Sequence, residues 1–439
     1  MSNTEAVDLT IEARWVLPFG PAPRLLMGHA VALREGRIVA LGPTAELDAR
    51  FAPRERARRA DHVLMPGLVN AHTSAGLTLL RGRALARSAD AVADAGGERD
   101  WMTPELARAS ARLALAEMLR AGITSFASRD PYPQETARIA SRLRMRAAVG
   151  LPVADHAARR VEGTPGPLAL AEQLWDEYRT DPCISLYFAP EAVHTLEDAT
   201  LARVRTIADE LDARIAMPVH GSLAEIAACR ALSGARPLER LHRLGLLRPG
   251  FAAVNANHLD AAELDLIERT GIAVVACPQA TLRQGSGAAP LGELLLRHVP
   301  LGLGSGSPLA VFTADMLAEA RAAAFLLAGS GRPAASVPPE AVLELATRGS
   351  ARALGLHSHV GSIEPGKAAD LIAVDLRLLG TQPAQAAAEA LLFGATRAQV
   401  SDVWIGGRAA LAGGRLLAFD EEELLASARS WDQRLPGGV

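Results

Sequence analysis

The feature that most constrains the fold of this chain is an alternation of short apolar runs with longer amphipathic segments, between about residues 62 and 355. The short runs have the length of buried strands, at 123–126, 184–188 and 272–276. The longer segments have helical periodicity, at 103–120, 201–211 and 261–269, and Thr103-Pro104 is a typical helix start. Strand-then-helix repetition favours α/β architecture with a parallel sheet, and the length suits an eight-stranded (β/α)₈ TIM-like barrel. Periodicity alone leaves a doubly wound sheet open.

Both ends of the chain carry a different, strand-rich pattern. Residues 29–42 contain two apolar runs separated by Glu35-Gly36, which is typical of a β-hairpin, and similar strands return at 366–374 and 403–408. The sequence therefore predicts a small composite β-sandwich domain made of residues 1–61 plus 357–439. The barrel domain is predicted to span residues 62–356.

Charge and cysteine content exclude several classes of protein. A net charge of -3 gives no electrostatic reason to expect nucleic acid or an acidic membrane as partner. No apolar run approaches the roughly 18 residues of a membrane span, and no signal pattern begins the chain, so the predicted location is the cytoplasm. Cys183, Cys229 and Cys277 form no CxxC pair, which argues for reduced, mostly buried thiols.

Residues 65–82 (MPGLVNAHTSAGLTLLRG) resemble the first barrel strand of the amidohydrolase superfamily, especially its methylthioadenosine/S-adenosylhomocysteine deaminase and triazine hydrolase branch. The resemblance covers nearly the whole chain and continues through 112–125, 236–241, 277–287 and 361–371. It implies a (β/α)₈ barrel, a composite β-sandwich, and a pocket at the carboxyl ends of the barrel strands. It also implies a divalent metal that lowers the pKa of a bound water to about 7, together with a general acid/base.

Most of the site positions that this resemblance implies are replaced. The metal-ligand His72 is retained, but the other metal-ligand positions hold Ser74, Pro218 and Gly306. Gly221 stands at the position of the general acid/base, and Asn255 at that of the histidine that orients the nucleophile and polarises the substrate. Five of the six positions are thus replaced. The sequence therefore predicts no bound metal and identifies no catalytic residue, with zinc or iron expected only if the site is rebuilt.

The remaining polar residues offer ingredients for such a rebuilt site. Glu191 falls at the position of a substrate-contacting histidine in the resembled family, and His194 follows it. His220 lies two residues after Pro218, so both would share a face of one strand. A metal site of His72, His220 and Glu191 or His194 is one interpretation. The other is that these are strand and loop residues without mutual contact.

Three further groups of residues have structural alternatives. His258 is expected to be a structural histidine, and Ser305 and Ser307 are expected to form a tight backbone turn. Asp130 fits either a pocket residue or a turn-forming aspartate before Pro131. Residues 83–98 are predicted to be a mobile loop, where the resembled deaminases carry a helical insert that contacts the substrate.

These replacements favour one function over another. The favoured interpretation is a degenerate amidohydrolase, a pseudoenzyme without metal-dependent hydrolysis. It would bind a small ligand, or serve as the partner subunit of an active paralogue, in a homodimer or a heteromer. The alternative is an active hydrolase of a non-peptide C–N bond, deaminase-like or amidase-like, with a rebuilt or divergent site.

Overall fold

The computed structural model describes residues 4–20, 25–82, 102–154, 167–330 and 337–435, so the loop predicted at 83–98 lies outside the described residues. The strands are β1 (Glu5–Val16), β2 (Leu26–Arg34), β3 (Arg37–Pro43), β4 (Phe51–Pro66), β5 (Leu68–Thr73), β6 (Ile123–Arg129), β7 (Arg146–Val153), β8 (Ile184–Pro190), β9 (Arg214–Val219), β10 (Phe251–Asn255), β11 (Ala273–Ala276), β12 (Leu301–Leu303), β13 (Leu371–Asp375), β14 (Val400–Ile405), β15 (Arg408–Ala412) and β16 (Arg415–Leu416).

Most of the helices follow barrel strands in the sequence, and the others lie between or after the strands near the two ends of the chain. They are α1 (Thr44–Arg50), α2 (Pro104–Arg120), α3 (Pro133–Leu143), α4 (Pro167–Tyr178), α5 (Asp198–Glu210), α6 (Leu223–Ser233), α7 (Pro237–Arg243), α8 (Ala261–Thr270), α9 (Pro278–Gln284), α10 (Leu291–Leu296), α11 (Met316–Gly329), α12 (Pro339–Glu344), α13 (Ser350–Ala353), α14 (Ala387–Glu389) and α15 (Glu421–Arg434). Short 3₁₀ or π segments are at Ala75–Leu80, Leu345–Gly349, Leu379–Thr381, Ala390–Gly394 and Arg397–Gln399.

Strands β5 to β12 form one sheet in chain order, which distinguishes a barrel from a doubly wound sheet. The sheet closes because Thr73 pairs in parallel with Gly306, beyond the last strand. At this seam the Gly306 N–H donates to the His72 carbonyl at 2.9 Å, and the Ser305 N–H donates to Asn70 Oδ1 at 2.9 Å. Asn70 Nδ2 also donates to Ser305 Oγ at 2.8 Å. The predicted barrel is therefore confirmed.

The terminal strands form a second sheet, in the order β16-β15-β14-β13-β4-β1-β2-β3. The predicted hairpin is present, since β2 pairs antiparallel with β3 and the turn residues Glu35 and Gly36 have φ of 51° and 76°. Those left-handed values suit a two-residue hairpin turn. A β unit built from both ends of the chain is confirmed, and its apolar core includes Ile11, Val31 and Leu371.

The described residues divide into two compact units, each drawn from separate stretches of sequence. One unit comprises 1–69, 116–125 and 315–421, and the other comprises 70–115, 126–314 and 422–439. All of the candidate site residues lie in the second unit. The domain limits inferred from the sequence, with a barrel at 62–356, stay a prediction.

Two expectations from composition can be compared with the described chain. Its three cysteines form no disulfide, and Cys229 and Cys277 are buried while Cys183 is partly buried, as predicted. Among the described helices, none is both long enough and apolar enough to span a bilayer.

Candidate functional site

The polar residues of the candidate site gather where β8, β9 and β10 end, at the carboxyl edge of the barrel. This edge is where barrel enzymes place their catalytic groups. The backbone here is unusual, because His220, Asn255 and Ala256 have φ of 56°, 76° and 52°. Residues other than glycine rarely adopt these left-handed φ values, and residues that do so cluster at functional sites.

A buried carboxylate, that of Glu225, lies at the centre of this edge. Ser222 caps α6 by accepting the Glu225 N–H, and the Glu225 carboxylate turns back toward the end of β9. There it accepts the N–H of Gly221 at 2.7 Å and the N–H of His220 at 3.1 Å. Burial raises the pKa of Glu225, while the hydrogen bond from the Gly221 N–H and the nearby His220 and His194 oppose that shift.

A second carboxylate, Glu263 at the start of α8, contacts the His220 ring. Glu263 Oε1 lies 2.8 Å from His220 Nε2, and Glu263 Oε2 accepts from Arg236 Nη2 at 2.6 Å. Burial raises the pKa of Glu263, but contacts with His220 and Arg236 outweigh it and lower the pKa to about 2. The His220 side chain is fully buried, and neither ring nitrogen has a well-aligned hydrogen bond despite the short contact with Glu263.

Because the pKa of Glu263 is lowered, we expect this carboxylate to affect the free energy of unfolding and its dependence on pH. A carboxylate whose folded pKa lies below its ordinary 4.5 stabilises the protein above that pH, and this contribution is lost as pH falls toward 2. Glu263→Gln should therefore lower the free energy of unfolding at neutral pH by about 2 to 3 kcal/mol, at roughly 1.4 kcal/mol per unit. Urea unfolding at several pH values measures this. The exposed Glu210→Gln is the control, and an unchanged acid dependence in Glu263→Gln would contradict the assignment.

His72, the retained ligand position, lies next to the last residue of β5. Its side chain is only partly buried by surface exposure, yet it lies deep enough for desolvation to lower the pKa of the imidazole to about 4. The positive charge of Arg129, at the end of β6, lowers that pKa further. His72 is therefore neutral at pH 7 and can donate or accept one hydrogen bond. Ser74 precedes the 3₁₀ turn Ala75–Leu80 and is buried.

Two of the replaced metal-ligand positions, Pro218 and Gly306, have no side-chain atom that can bind a metal. Pro218 lies within β9, paired with Val254 of β10. Gly306 has φ of 75°, and a Cβ added there would stand 2.9 Å from the Cβ of Ala280. The space beside Gly306 is thus occupied by Ala280, so the ligand position is closed by packing as well as lacking a side chain.

The rebuilt metal site predicted from His72, His220 and Glu191 or His194 does not form in the described part of the chain. No three His, Cys, Asp or Glu side chains there come close enough to hold a metal ion. The physical reason is the end of β9 at Val219. His220 follows it in a left-handed conformation, so strand alternation does not reach it and its ring is buried against Glu263. The expectation that Pro218 and His220 share a face is wrong.

Other predicted positions have clear structural roles. Asp130 is buried and accepts from the Gly76 N–H, Ser128 Oγ and Thr136 Oγ1, which identifies it as a structural carboxylate. Burial raises its pKa against these bonds. Ser305 hydrogen-bonds with Asn70 at the seam of the barrel, whereas Ser307 begins a turn by accepting the Ala310 N–H. His258 lies against Gly287, where a Cβ would stand 2.7 Å from its ring, in agreement with a structural role.

Glu225 and Glu263 were missed as site residues by sequence reasoning. Each is the third residue after a helix N-cap, Ser222 or Asp260, and Asp260 with Glu263 forms a capping box. That spacing is a readable signal for a helix start. It did not reveal that both carboxylates reach back to the strand ends, which depends on the short loops before α6 and α8.

Comparison with known proteins shows which family and which solved structures this chain is similar to. Residues 63–410 match the model of the amidohydrolase family. A 5-methylthioadenosine/S-adenosylhomocysteine deaminase of Teredinibacter turnerae is 33% identical, over 99% of this chain and 99% of that protein. A zinc-bound adenosine deaminase structure from Xanthomonas campestris is 39% identical with a TM-score of 0.95, over 98% of this chain and 99% of that one. A zinc-bound atrazine chlorohydrolase of Arthrobacter aurescens, at 21% identity and TM-score 0.84 over 96% and 99%, shares the fold.

The zinc of these relatives can be tested against the donors present here. A catalytic zinc takes three protein ligands, usually His, Asp, Glu or Cys. Ser74, Pro218 and Gly306 supply no such set, and the described residues contain no group of three. The relatives point to a metal, whereas the described donor set does not fit one.

The expectation of a non-catalytic protein is wrong. Relatives that match this chain from end to end are enzymes named as deaminases, at 33% and 31% identity. The physical error lay in counting only the six site positions of the resembled family, since the loss of those side chains was read as the loss of all catalysis. The acid/base group Glu225 lies at the end of β9, outside those six positions, and was not counted.

Proposed function

This chain belongs to the amidohydrolase family, and from that membership we propose that it is an active hydrolase of a non-peptide C–N bond. The proposed reaction is deamination of an adenosine-type nucleoside, in which water replaces the exocyclic amino group. The supporting observation is the end-to-end similarity to deaminases, including 39% identity to the Xanthomonas campestris enzyme. The relative from Teredinibacter turnerae adds 5-methylthioadenosine and S-adenosylhomocysteine as the first substrates to try.

The polar groups at the carboxyl edge of the barrel suit this reaction class. His72 is neutral at pH 7, because desolvation lowers its pKa to about 4, so it can hydrogen-bond a substrate without adding charge. Asn255 supplies an amide at the end of β10. Glu225 supplies a buried carboxylate at the end of β9. Hydrogen bonding and proton transfer are the two tasks that such groups perform in hydrolysis.

The proposal is tested by incubating the purified chain separately with 5′-methylthioadenosine, S-adenosylhomocysteine and adenosine. Ammonia and the deaminated product should appear together and in equal amounts. A mock purification from cells that lack the expressed chain controls for host deaminases. A folded sample that gives no more product than the mock with all three substrates would overturn the proposal.

Metal content is a separate prediction. Since the described residues provide no three-donor group, we expect protein purified without added metal or a His tag to hold well under one zinc ion per chain. Elemental analysis after dialysis measures this. One tightly held zinc, iron or manganese per chain would show that donors beyond those described complete a site.

Association and location stay predictions. A homodimer, or a heteromer with an active paralogue, is tested by mass measurement in solution and by co-purification from the native host. The cytoplasmic location is tested by cell fractionation.

A further inference from the structure

We propose that Glu225 is the proton-transfer group of the deamination, and that its carboxylate takes the place of the side chain that Gly221 lacks. This assignment rests on the proposed function. The sequence predicted that the general acid/base was lost at Gly221, because glycine cannot carry a proton. The structure supplies a carboxylate at the same place from the next helix.

The space beside Gly221 has a polar lining. A Cβ built on Gly221 would stand 3.3 Å from Glu225 Oε2 and 3.3 Å from Asn255 Nδ2. An acceptor and a donor therefore face the same point at the end of β9. The Glu225 carboxylate therefore lies beside the position from which a side chain at residue 221 would begin.

Glu225 is fixed in this position by the start of α6. It accepts the N–H groups of His220 and Gly221, and Ser222 caps its own N–H. A carboxylate has about four acceptor positions, so two backbone bonds leave capacity for a reacting water. These bonds hold the carboxylate without neutralising it, which is the preorganisation that proton transfer requires.

The surroundings of Glu225 also suit proton transfer. Burial raises the pKa of Glu225 against the hydrogen bond from the Gly221 N–H, and His220 after β9, His194 after β8 and the thiol of Cys229 lie near the carboxylate. His220 is fully buried with no well-aligned partner for either ring nitrogen, and His194 Nδ1 is buried without a partner.

The proposed step balances as follows. Water attacks the carbon that bears the amino group, and Glu225 takes one of its protons as the C–O bond forms. Glu225 then gives this proton to the amino nitrogen as the C–N bond breaks, and the electron pair leaves with ammonia. The second water proton moves to the adjacent ring nitrogen as the oxygen becomes a carbonyl, so Glu225 ends as it began.

The test uses Glu225→Gln with a rescue from the strand. The loss of a proton-transfer group should lower kcat/KM by about 100-fold or more. Gly221 has an ordinary backbone, and a Cβ there would meet only the ends of two side chains, each at 3.3 Å, which must shift by a few tenths of an ångström. Gly221→Glu in the Glu225→Gln protein can thus return a carboxylate to the site. We expect this double variant to recover at least about tenfold in kcat/KM and to regain an acid limb in its pH profile. Gly221→Gln in the same background should recover nothing.

A structural role is separated by Ser233→Ala at the far end of α6, which removes the hydrogen bond from Ser233 Oγ to the Cys229 carbonyl and keeps the carboxylate in place. It should lower the melting temperature and leave kcat/KM within a few-fold. An active wild type with an equally active Glu225→Gln would overturn the role of Glu225 alone. So would recovery by Gly221→Gln as large as by Gly221→Glu. A wild type without deaminase activity would overturn the proposed function and this assignment together.

Discussion

Gly67→Ala is expected to lower the free energy of unfolding by about 3 to 5 kcal/mol. A Cβ at this position would stand 2.0 Å from Thr124 Oγ1, 2.4 Å from its Cγ2 and 2.7 Å from its Cβ. Thr124 is fully buried, and the Gly67 N–H donates to the Asp370 carbonyl at 2.9 Å. Gly67 cannot move away from Thr124 without losing its bond to Asp370, and Thr124 cannot move without losing its packing. Urea unfolding measures the loss.

Two further variants make this prediction specific. Gly329→Ala, at a helical glycine with no atom within 4 Å of the added Cβ, should change stability by less than about 1 kcal/mol. In a Thr124→Gly background, Gly67→Ala should cost much less, because the atoms it collides with are gone. A Gly67→Ala protein as stable as the wild type would show that this close approach is not present.

Arg240→Met is expected to destabilise the protein by about 3 kcal/mol and to lower kcat/KM for deamination. Arg240 is 4% exposed and donates to the carbonyls of Val193 and Leu196 and to Asp198. These bonds hold the segment after β8 that carries His194. Methionine fills similar space but leaves buried carbonyl groups without donors, at about 1 to 3 kcal/mol each.

The matched control is Arg243→Met, on the same helix α7. Arg243 forms an exposed pair with Glu239, so its loss should cost under about 1 kcal/mol and leave activity unchanged. The measurement is the free energy of unfolding and kcat/KM of both variants, each compared with the wild type. Equal effects for the two would contradict a special role for Arg240.

Much of the fold could be predicted because local signals agreed with it. Thr103-Pro104 begins α2 as expected, and Glu35-Gly36 forms the hairpin turn. Closure of the barrel could not be predicted from periodicity, because it depends on residues far apart in sequence. Asn70 and Ser305 meet across 235 positions, and their hydrogen bonds become visible only in three dimensions.

The site was predicted less well, for reasons of backbone geometry. His220 was assigned to the face of Pro218 by strand alternation, but β9 ends at Val219 and a φ of 56° redirects the ring. Histidine is enriched among the few residues other than glycine that adopt this conformation, but its presence does not by itself identify the turn. Gly221 was correctly identified as a position without a side chain. That Glu225 reaches the same place four residues later depends on the tight join between β9 and α6.

The central claim is that this chain hydrolyses a C–N bond, and heavy-oxygen water tests it most directly. The purified protein is incubated with the candidate nucleosides in water enriched in heavy oxygen, and the products are examined by mass spectrometry. The account predicts one solvent oxygen in each deaminated product and one ammonia released with it. Substrates recovered unchanged from a folded, intact sample would contradict it.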